Sequence, residues 1–161
     1  MDVLVTGGAG FIGSHVAEAL VAAGHDVVVV DDLSTGRRAN VPDGARFVEL
    51  DIRDAAALAA LFADQRFDVV CHQAAQTSVT VSTREPIRDA QINVNGSLNL
   101  LDQCREQRVG RFVFASTGGA IYGEVPSGER ADESCTPRPI SPYACSKLAF
   151  ESYLAAYRHE H

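Results

Sequence analysis

No run of basic residues occurs in this sequence, and no stripe of aromatic side chains is interleaved with Lys or Arg. Fourteen Lys and Arg stand against twenty-one Asp and Glu, a formal net charge of −7. Nucleic acid and an anionic membrane surface are therefore poor partners. No apolar stretch is long enough to span a bilayer. Met1-Asp2 leads straight into an apolar run, which leaves no room for a signal peptide and makes a cytoplasmic location the default expectation. The four cysteines, Cys71, Cys104, Cys135 and Cys145, lack Cys-x-x-Cys spacing, so reduced thiols are expected. His15, His25, His72, His159 and His161 form neither a His-x-x-x-His pair nor a Cys/His cluster, and no metal site is expected. Internal repeats and low-complexity tracts are missing as well. What remains is 161 residues, enough for one buried core and a single domain over 1–161.

Within that length the first residues carry the most information. Val3 to Thr6 is a short apolar, largely β-branched run that breaks into Gly7, Gly10 and Gly13 and then turns helical. Gly7 permits a tight turn off the strand, Gly10 lets backbone approach a pyrophosphate, and Gly13 lets the helix press closely on the sheet. Phe11, Ile12, Val16, Ala19, Leu20 and Ala23 recur at helical spacing, with Gly24 as a C-terminal stop. Val27 to Val30 then reads as a strand covered on both faces, ending in Asp31. Asp31 lies eighteen residues after Gly13, where an acidic side chain can take the ribose hydroxyls of an adenosine.

Further strands are expected near Arg46 to Glu49, Asp68 to Cys71 and Arg111 to Ser116, with helices near Asp54 to Gln65 and Pro86 to Arg108. Strands alternating with helices imply right-handed crossovers and an α/β fold, a Rossmann-type doubly wound parallel sheet in the order 3-2-1-4-5. Ligand chemistry then collects at the carboxyl ends of the strands: Thr6 to Gly10, Asp31-Asp32, Asp51-Ile52, His72 to Gln76 and Ser116 to Gly119. Pro126, Pro137, Pro139 and Pro142 mark a long irregular loop before a last helix from about Pro142.

That helix contains Tyr143-Ala-Cys-Ser-Lys147. Four residues make about one helical turn, so both side chains lie on one face and can point at a common ligand. A free tyrosine has a pKa of about 10, and a neighbouring ammonium together with the positive ring of an oxidised nicotinamide would favour its phenolate. The alternative is a surface helix on which Tyr143 packs and Lys147 is solvated.

Taken in order, these motifs resemble the extended short-chain dehydrogenase/reductases that act on nucleotide sugars, especially UDP-glucose 4-epimerase-like members. The resemblance rests on Thr6 to Gly13, Asp31-Asp-Leu-Ser-Thr-Gly36, Asp51-Ile52, His72-Gln-Ala-Ala75, Asn93-Val-Asn-Gly96, Ser116 to Gly123 and Tyr143 to Lys147. It implies NAD as cofactor and a nucleotide sugar, a UDP-hexose, as substrate. Asp31 would hold the adenosine ribose, Asp51 and Ile52 the adenine, Ala74 and Gln76 the pyrophosphate side, and Asn93 would support the site. The implied cofactor contacts also include Gly7, Gly10, Phe11, Ile12, Gly13, Asp32, Leu33, Ser34, Thr35, Gly36, Gln73, Ala75 and Ser116. Tyr143 would transfer the proton, while Lys147 would bind the nicotinamide ribose and tune Tyr143. The helices at 86–108 and 142–157 would pair with those of a second subunit.

Two acids at Asp31-Asp32 oppose a 2′-phosphate and favour NAD over NADP, with Arg37 and Arg38 as counter-evidence. Family members usually place a Ser or Thr four residues before the tyrosine that is Tyr122 here, and that slot is Gly118. Thr117, or else Ser116, is expected to supply the relay hydroxyl instead. Dehydratases of the family carry an Asp-Glu pair at the positions of Gly119 and Ala120, and decarboxylases keep the glutamate. Without those carboxyls, the economical chemistry is oxidation and re-reduction at C4 of the sugar, an epimerisation. A nucleotide-sugar reductase or dehydratase, and a truncated NAD-binding module without turnover of its own, remain as alternatives. Family members continue into a further strand and a C-terminal substrate lobe, so a chain ending at His161 is expected to be truncated before that lobe.

Overall fold

A computed structural model describes residues 1–126 and 128–160. Five parallel strands form its sheet: β1 (Asp2–Thr6), β2 (Asp26–Asp31), β3 (Arg46–Glu49), β4 (Val69–His72) and β5 (Arg111–Phe114), in the order β3-β2-β1-β4-β5. This is the Rossmann-like order that the alternation of strands and helices predicts. β1 lies at the centre, with Val3 opposite both Val27 and Val69. Val3, Leu4 and Val5 in β1 and Val27 to Val30 in β2 are all buried, as strands covered on both faces must be. The edge strands instead begin at the exposed Arg46 and Arg111.

The helices of the sheet-bearing unit are α1 (Phe11–Ala22), α2 (Ala55–Asp64) and α5 (Ser97–Gln107). α1 packs on β1 and β2, and Gly24, with φ +78°, turns the chain after it. α2 starts at Asp54, whose side chain accepts from Ala57 N at 2.9 Å, a cap that satisfies one of the free amides of the first turn. Its buried Phe62 meets Phe67 edge to face at 5.2 Å, and α2 packs on α5.

The chain divides into two compact units, Met1–Ala75 with Gly96–Ala115, and Gln76–Asn95 with the residues from Ser116 onward. The second contains α3 (Val79–Arg84), α4 (Pro86–Ala90), α6 (Gly118–Ile121) and α7 (Pro142–Glu160). Of these, α3, α4 and α6 are all packed on α7. α3 and α6 are short and carry no strong helical spacing in the sequence. Among the described residues of 122–141 there is no helix or strand, as the four prolines predict.

One expected element is divided. The helix predicted over Pro86 to Arg108 is α4, then a π-helical turn at Gln91–Gly96, then α5. Asn93 lies in that wider turn, 1% exposed. Its side chain accepts from Gln76 N at 2.8 Å and donates to Gln76 O at 2.9 Å. A two-way grip on another segment's backbone requires the side chain in one fixed place, and an enlarged turn puts it there. His161, expected at or just past the end of the last helix, lies outside the described residues.

Candidate active site

In the first unit the turn off β1 is shaped by backbone packing. Gly7 has φ +68°, and a Cβ there would stand 2.6 Å from Ala74 N. A Cβ on Gly13 would stand 2.1 Å from Gly7 O and 2.9 Å from Gly8 Cα. The third glycine thus lets α1 start against the glycine turn at the end of β1. Gly10 caps α1 without a side-chain hydrogen bond, and the first turn contains no acidic residue. Its amides and the positive end of the helix dipole are left for an anion from outside the helix. Phe11 and Ile12, at that end, are 82% and 65% exposed.

Asp31 is buried at the end of β2 and holds two loops at once. Its Oδ2 accepts from Ala9 N at 3.0 Å and its Oδ1 from Leu33 N at 2.9 Å. Gly36 passes so close that a Cβ would lie 2.8 Å from Asp31 Oδ1. Asp32 is exposed and folds the next turn, accepting from Ser34 N at 2.9 Å and Ser34 Oγ at 2.6 Å; Thr35 is exposed beside it. The Arg38 guanidinium lies 4.6 Å over the Phe47 ring, a cation–π contact.

Asp51 faces Arg53, with Arg53 Nη2 at 2.5 Å from its Oδ2. The Arg53 hydrogen bonds hold the Asp51 carboxyl below its ordinary pKa of 3.8. Ile52 is buried, and its carbonyl accepts from Asn99 Nδ2 at 3.2 Å. After β4, Gln73 N donates to Thr6 O at 3.0 Å, Ala74 N donates to Thr6 Oγ1 at 3.3 Å, and Ala75 is half-buried. His72 is a satisfied core histidine, 2.6 Å from Thr6 Oγ1 through Nδ1 and 2.8 Å from Ser97 Oγ through Nε2.

In the second unit Tyr143 and Lys147 occupy the first turns of α7. Tyr143 is half-buried, but Lys147 is only 3% exposed. The solvated-lysine alternative is thereby removed. Burial pushes the Lys147 ammonium down to about 8, while the Asp89 charge raises it. Asn93 Nδ2 approaches Asp89 Oδ1 at 3.1 Å and Ser146 Oγ at 3.2 Å. Gln76, expected on the pyrophosphate side, has its side chain engaged: Nε2 donates to Asp89 Oδ1 at 2.8 Å and to Ser78 O at 3.0 Å.

Of the candidate relay hydroxyls, Ser116 donates to Glu151 Oε1. Thr117 stands at the start of α6 without a side-chain capping bond. A Cβ added at Gly118 would meet nothing within 4 Å.

The structure therefore gathers Gly7, Gly13, Asp31, Leu33, Gly36 and Ala74 in one unit, and Gln76, Asn93 and Lys147 in the other. Asp89 and Ser146 are buried polar residues that sequence reasoning missed. Asp89 and Asn93 are one helical turn apart, and that spacing was the available signal. Among the described residues, no group of three or more His, Cys, Asp or Glu could hold a metal, and no helix is long and apolar enough to cross a membrane. All four cysteines are free thiols, and burial raises that of Cys104 to about 12.

The profile of the NAD dependent epimerase/dehydratase family matches residues 3–161. The chain belongs to that family. It is 44% identical over 163 residues to a UDP-glucose 4-epimerase of Mycolicibacterium smegmatis, covering 98% of this chain and 51% of that one. It superposes on the Thermus thermophilus UDP-glucose 4-epimerase, solved with NAD, at a TM-score of 0.97 and 56% identity, over 99% of this chain and 51% of the other. The Thermotoga maritima UDP-glucose 4-epimerase, solved with UDP-glucose, gives 0.96 and 47%, over 99% and 52%. The chain spans about half the length of these relatives.

Proposed function

We propose that residues 1–161 form the NAD-binding Rossmann domain of an NAD-dependent UDP-glucose/UDP-galactose 4-epimerase, with Tyr143 as the acid and base. The observation that carries this reading is the burial of Lys147 one turn from Tyr143 on α7. A lysine is almost never fully buried without a task or a partner, and beside a tyrosine its charge favours the phenolate.

The first unit fits a dinucleotide. The uncapped start of α1, with Gly10, Phe11 and Ile12, would hold the pyrophosphate, helped by Ala74. Asp31 spends one acceptor site on Ala9 and one on Leu33; a carboxylate has about four, so capacity remains for ribose hydroxyls. Asp51 and Ile52 would border the adenine, and Lys147 would take the nicotinamide ribose. The acids at 31 and 32, and the stacking of Arg38 on Phe47, favour NAD over NADP. When bound, NAD supplies hydride acceptance and return.

Tyr143 takes the proton of the sugar C4 hydroxyl as that carbon is oxidised and gives it back on re-reduction. Thr117 relays it, since the Ser116 hydroxyl is bound to Glu151. Gly119 and Ala120 bring no carboxyl for an elimination, which favours epimerisation over dehydration. The protein would act in the cytoplasm, as a homodimer paired through the helices at 86–108 and 142–157.

The test is twofold. The chain should bind NAD more tightly than NADP in titration calorimetry, and equal affinities would overturn the cofactor choice. In a form that carries these residues and spans the length of the relatives, UDP-galactose should be converted to UDP-glucose, and Tyr143→Phe should lower turnover about 10²–10⁴-fold with NAD binding retained. Full turnover by that variant would remove Tyr143 from the chemistry. NAD binding without turnover by the wild-type chain would make this chain a binding module only.

A further inference from the structure

We propose that Asp89 is the counter-charge that keeps the buried Lys147 side chain an ammonium, which makes Asp89 a positioning residue for the Tyr143–Lys147 pair. The role assigned to the pair rests on the proposed function, whereas the pairing of Asp89 with Lys147 is argued from the burial of both on packed helices and from the hydrogen-bonded link through Asn93 to Ser146.

Lys147 is the only lysine in the sequence, and it is 3% exposed. Asp89 is 1% exposed. A buried charge is costly unless it is paired and hydrogen-bonded. Asp89 is satisfied on one side only: Oδ1 receives Gln76 Nε2 and Asn93 Nδ2, at 2.8 and 3.1 Å. Its Oδ2 is buried and has no hydrogen-bond partner among the described residues. Two amide donors on one oxygen fix the carboxylate's orientation but bring no positive charge. Asn93 continues to Ser146 Oγ at 3.2 Å, so the same amide ties Asp89 to the residue before Lys147.

Among the described residues of this unit, Asp89 is the one buried acid. The charged groups on the elements packed against α7 are Arg84 on α3 and Arg88 on α4, with Glu85 joining the two helices, and all three are exposed. Arg88 is bound to Glu85 at 3.1 Å. α6 has no titratable side chain. On α7 itself Cys145 is exposed, Tyr143 is half-buried, and Glu151 is held by the Ser116 hydroxyl.

The charge balance has a consequence for chemistry near neutral pH. Burial alone favours a neutral amine, and Asp89 opposes it, leaving Lys147 at about 8. Without Asp89 the amine would lose its proton more readily, and Tyr143 would lose a positive charge one helical turn away.

Because there is a single lysine, selective ¹³Cε lysine labelling gives one side-chain signal, which can be titrated directly in the intact chain. The expected midpoint is near pH 8 in the wild type. It should fall by about one pH unit or more in Asp89→Asn, and stay close to the wild-type value in Asp89→Glu, which keeps the charge. An unchanged midpoint in a folded Asp89→Asn chain overturns the proposal. Should that variant not fold, the ¹³Cγ shift of Asp89 in the wild type decides. An ionised carboxylate at pH 7 supports the counter-charge, and a protonated one overturns it. NAD titration is the separate readout for the underlying function: a shifted Lys147 midpoint in a chain that does not bind NAD keeps the counter-charge and removes the catalytic role of the pair.

Discussion

The glycine turn of the first unit and the Asp89–Asn93 cluster of the second both hold polar groups in fixed positions, but by opposite means. At Gly7 and Gly13 the backbone is brought against backbone at distances no Cβ could share. At Asn93 a side chain reaches 17 residues back to Gln76 and 53 residues forward to Ser146. The first device depends on missing atoms, the second on hydrogen bonds between segments far apart in sequence. A glycine turn can thus be broken by adding one methyl group, whereas the cluster is broken by deleting one amide.

The largest effect is expected from the first device. In Gly13→Ala the new Cβ would stand 2.1 Å from Gly7 O, and neither atom is the free end of a flexible side chain. Either α1 or the turn must move, at a cost of about 3 kcal/mol, the upper part of the range for overpacking. Thermal unfolding should show it as a lower Tm, and NAD affinity should fall as well. An alanine at 13 with wild-type Tm would mean that the turn yields easily, and the contrast with the cluster would collapse.

A smaller loss is expected from Asn93→Ala. The change leaves Gln76 N and Gln76 O, which are part-buried, and the buried Asp89 without the Asn93 amide. Stranding buried polar groups costs about 1–3 kcal/mol, readable as a lower urea midpoint at unchanged slope. Asn93→Asp would sharpen the comparison, because it keeps the acceptor for Gln76 N but loses the donor and sets a second acid beside Asp89. It should be at least as harmful as alanine near neutral pH and recover as acid protonates the pair.

The same contrast decides what could be read from the sequence. Gly7, Gly10 and Gly13 sit within seven residues, and the strand and helix on either side have clear periods, so the turn and the order 3-2-1-4-5 were legible. Tyr143 and Lys147 were legible too, being four apart on one helix. The burial of Lys147 was not, because it depends on the packing of α4, with Asp89, against α7, which no local pattern encodes. Asp89 beside Arg88 reads as an ordinary surface charge. The break in the helix over 86–108 was hidden for a related reason: the bond of Asn93 to Gln76 that accompanies the wider turn joins segments 17 residues apart.

The smallest effect is expected where a glycine is not obligatory. A Cβ at Gly118 meets nothing within 4 Å, and Gly118 opens α6 with a helical backbone. Alanine there removes freedom from the unfolded chain without adding strain, so Gly118→Ala should raise stability by about 0.4 kcal/mol, the low end for such replacements. Gly118→Ser should be equally tolerated and would place a hydroxyl in the slot where the family resemblance implies one. If Thr117 is the relay, Gly118→Ser should restore turnover lost in Thr117→Ala, while Gly118→Ala should not. A destabilised Gly118→Ala chain would mean that this glycine, like Gly13, is held by close packing, and glycine would then do the same work in both units.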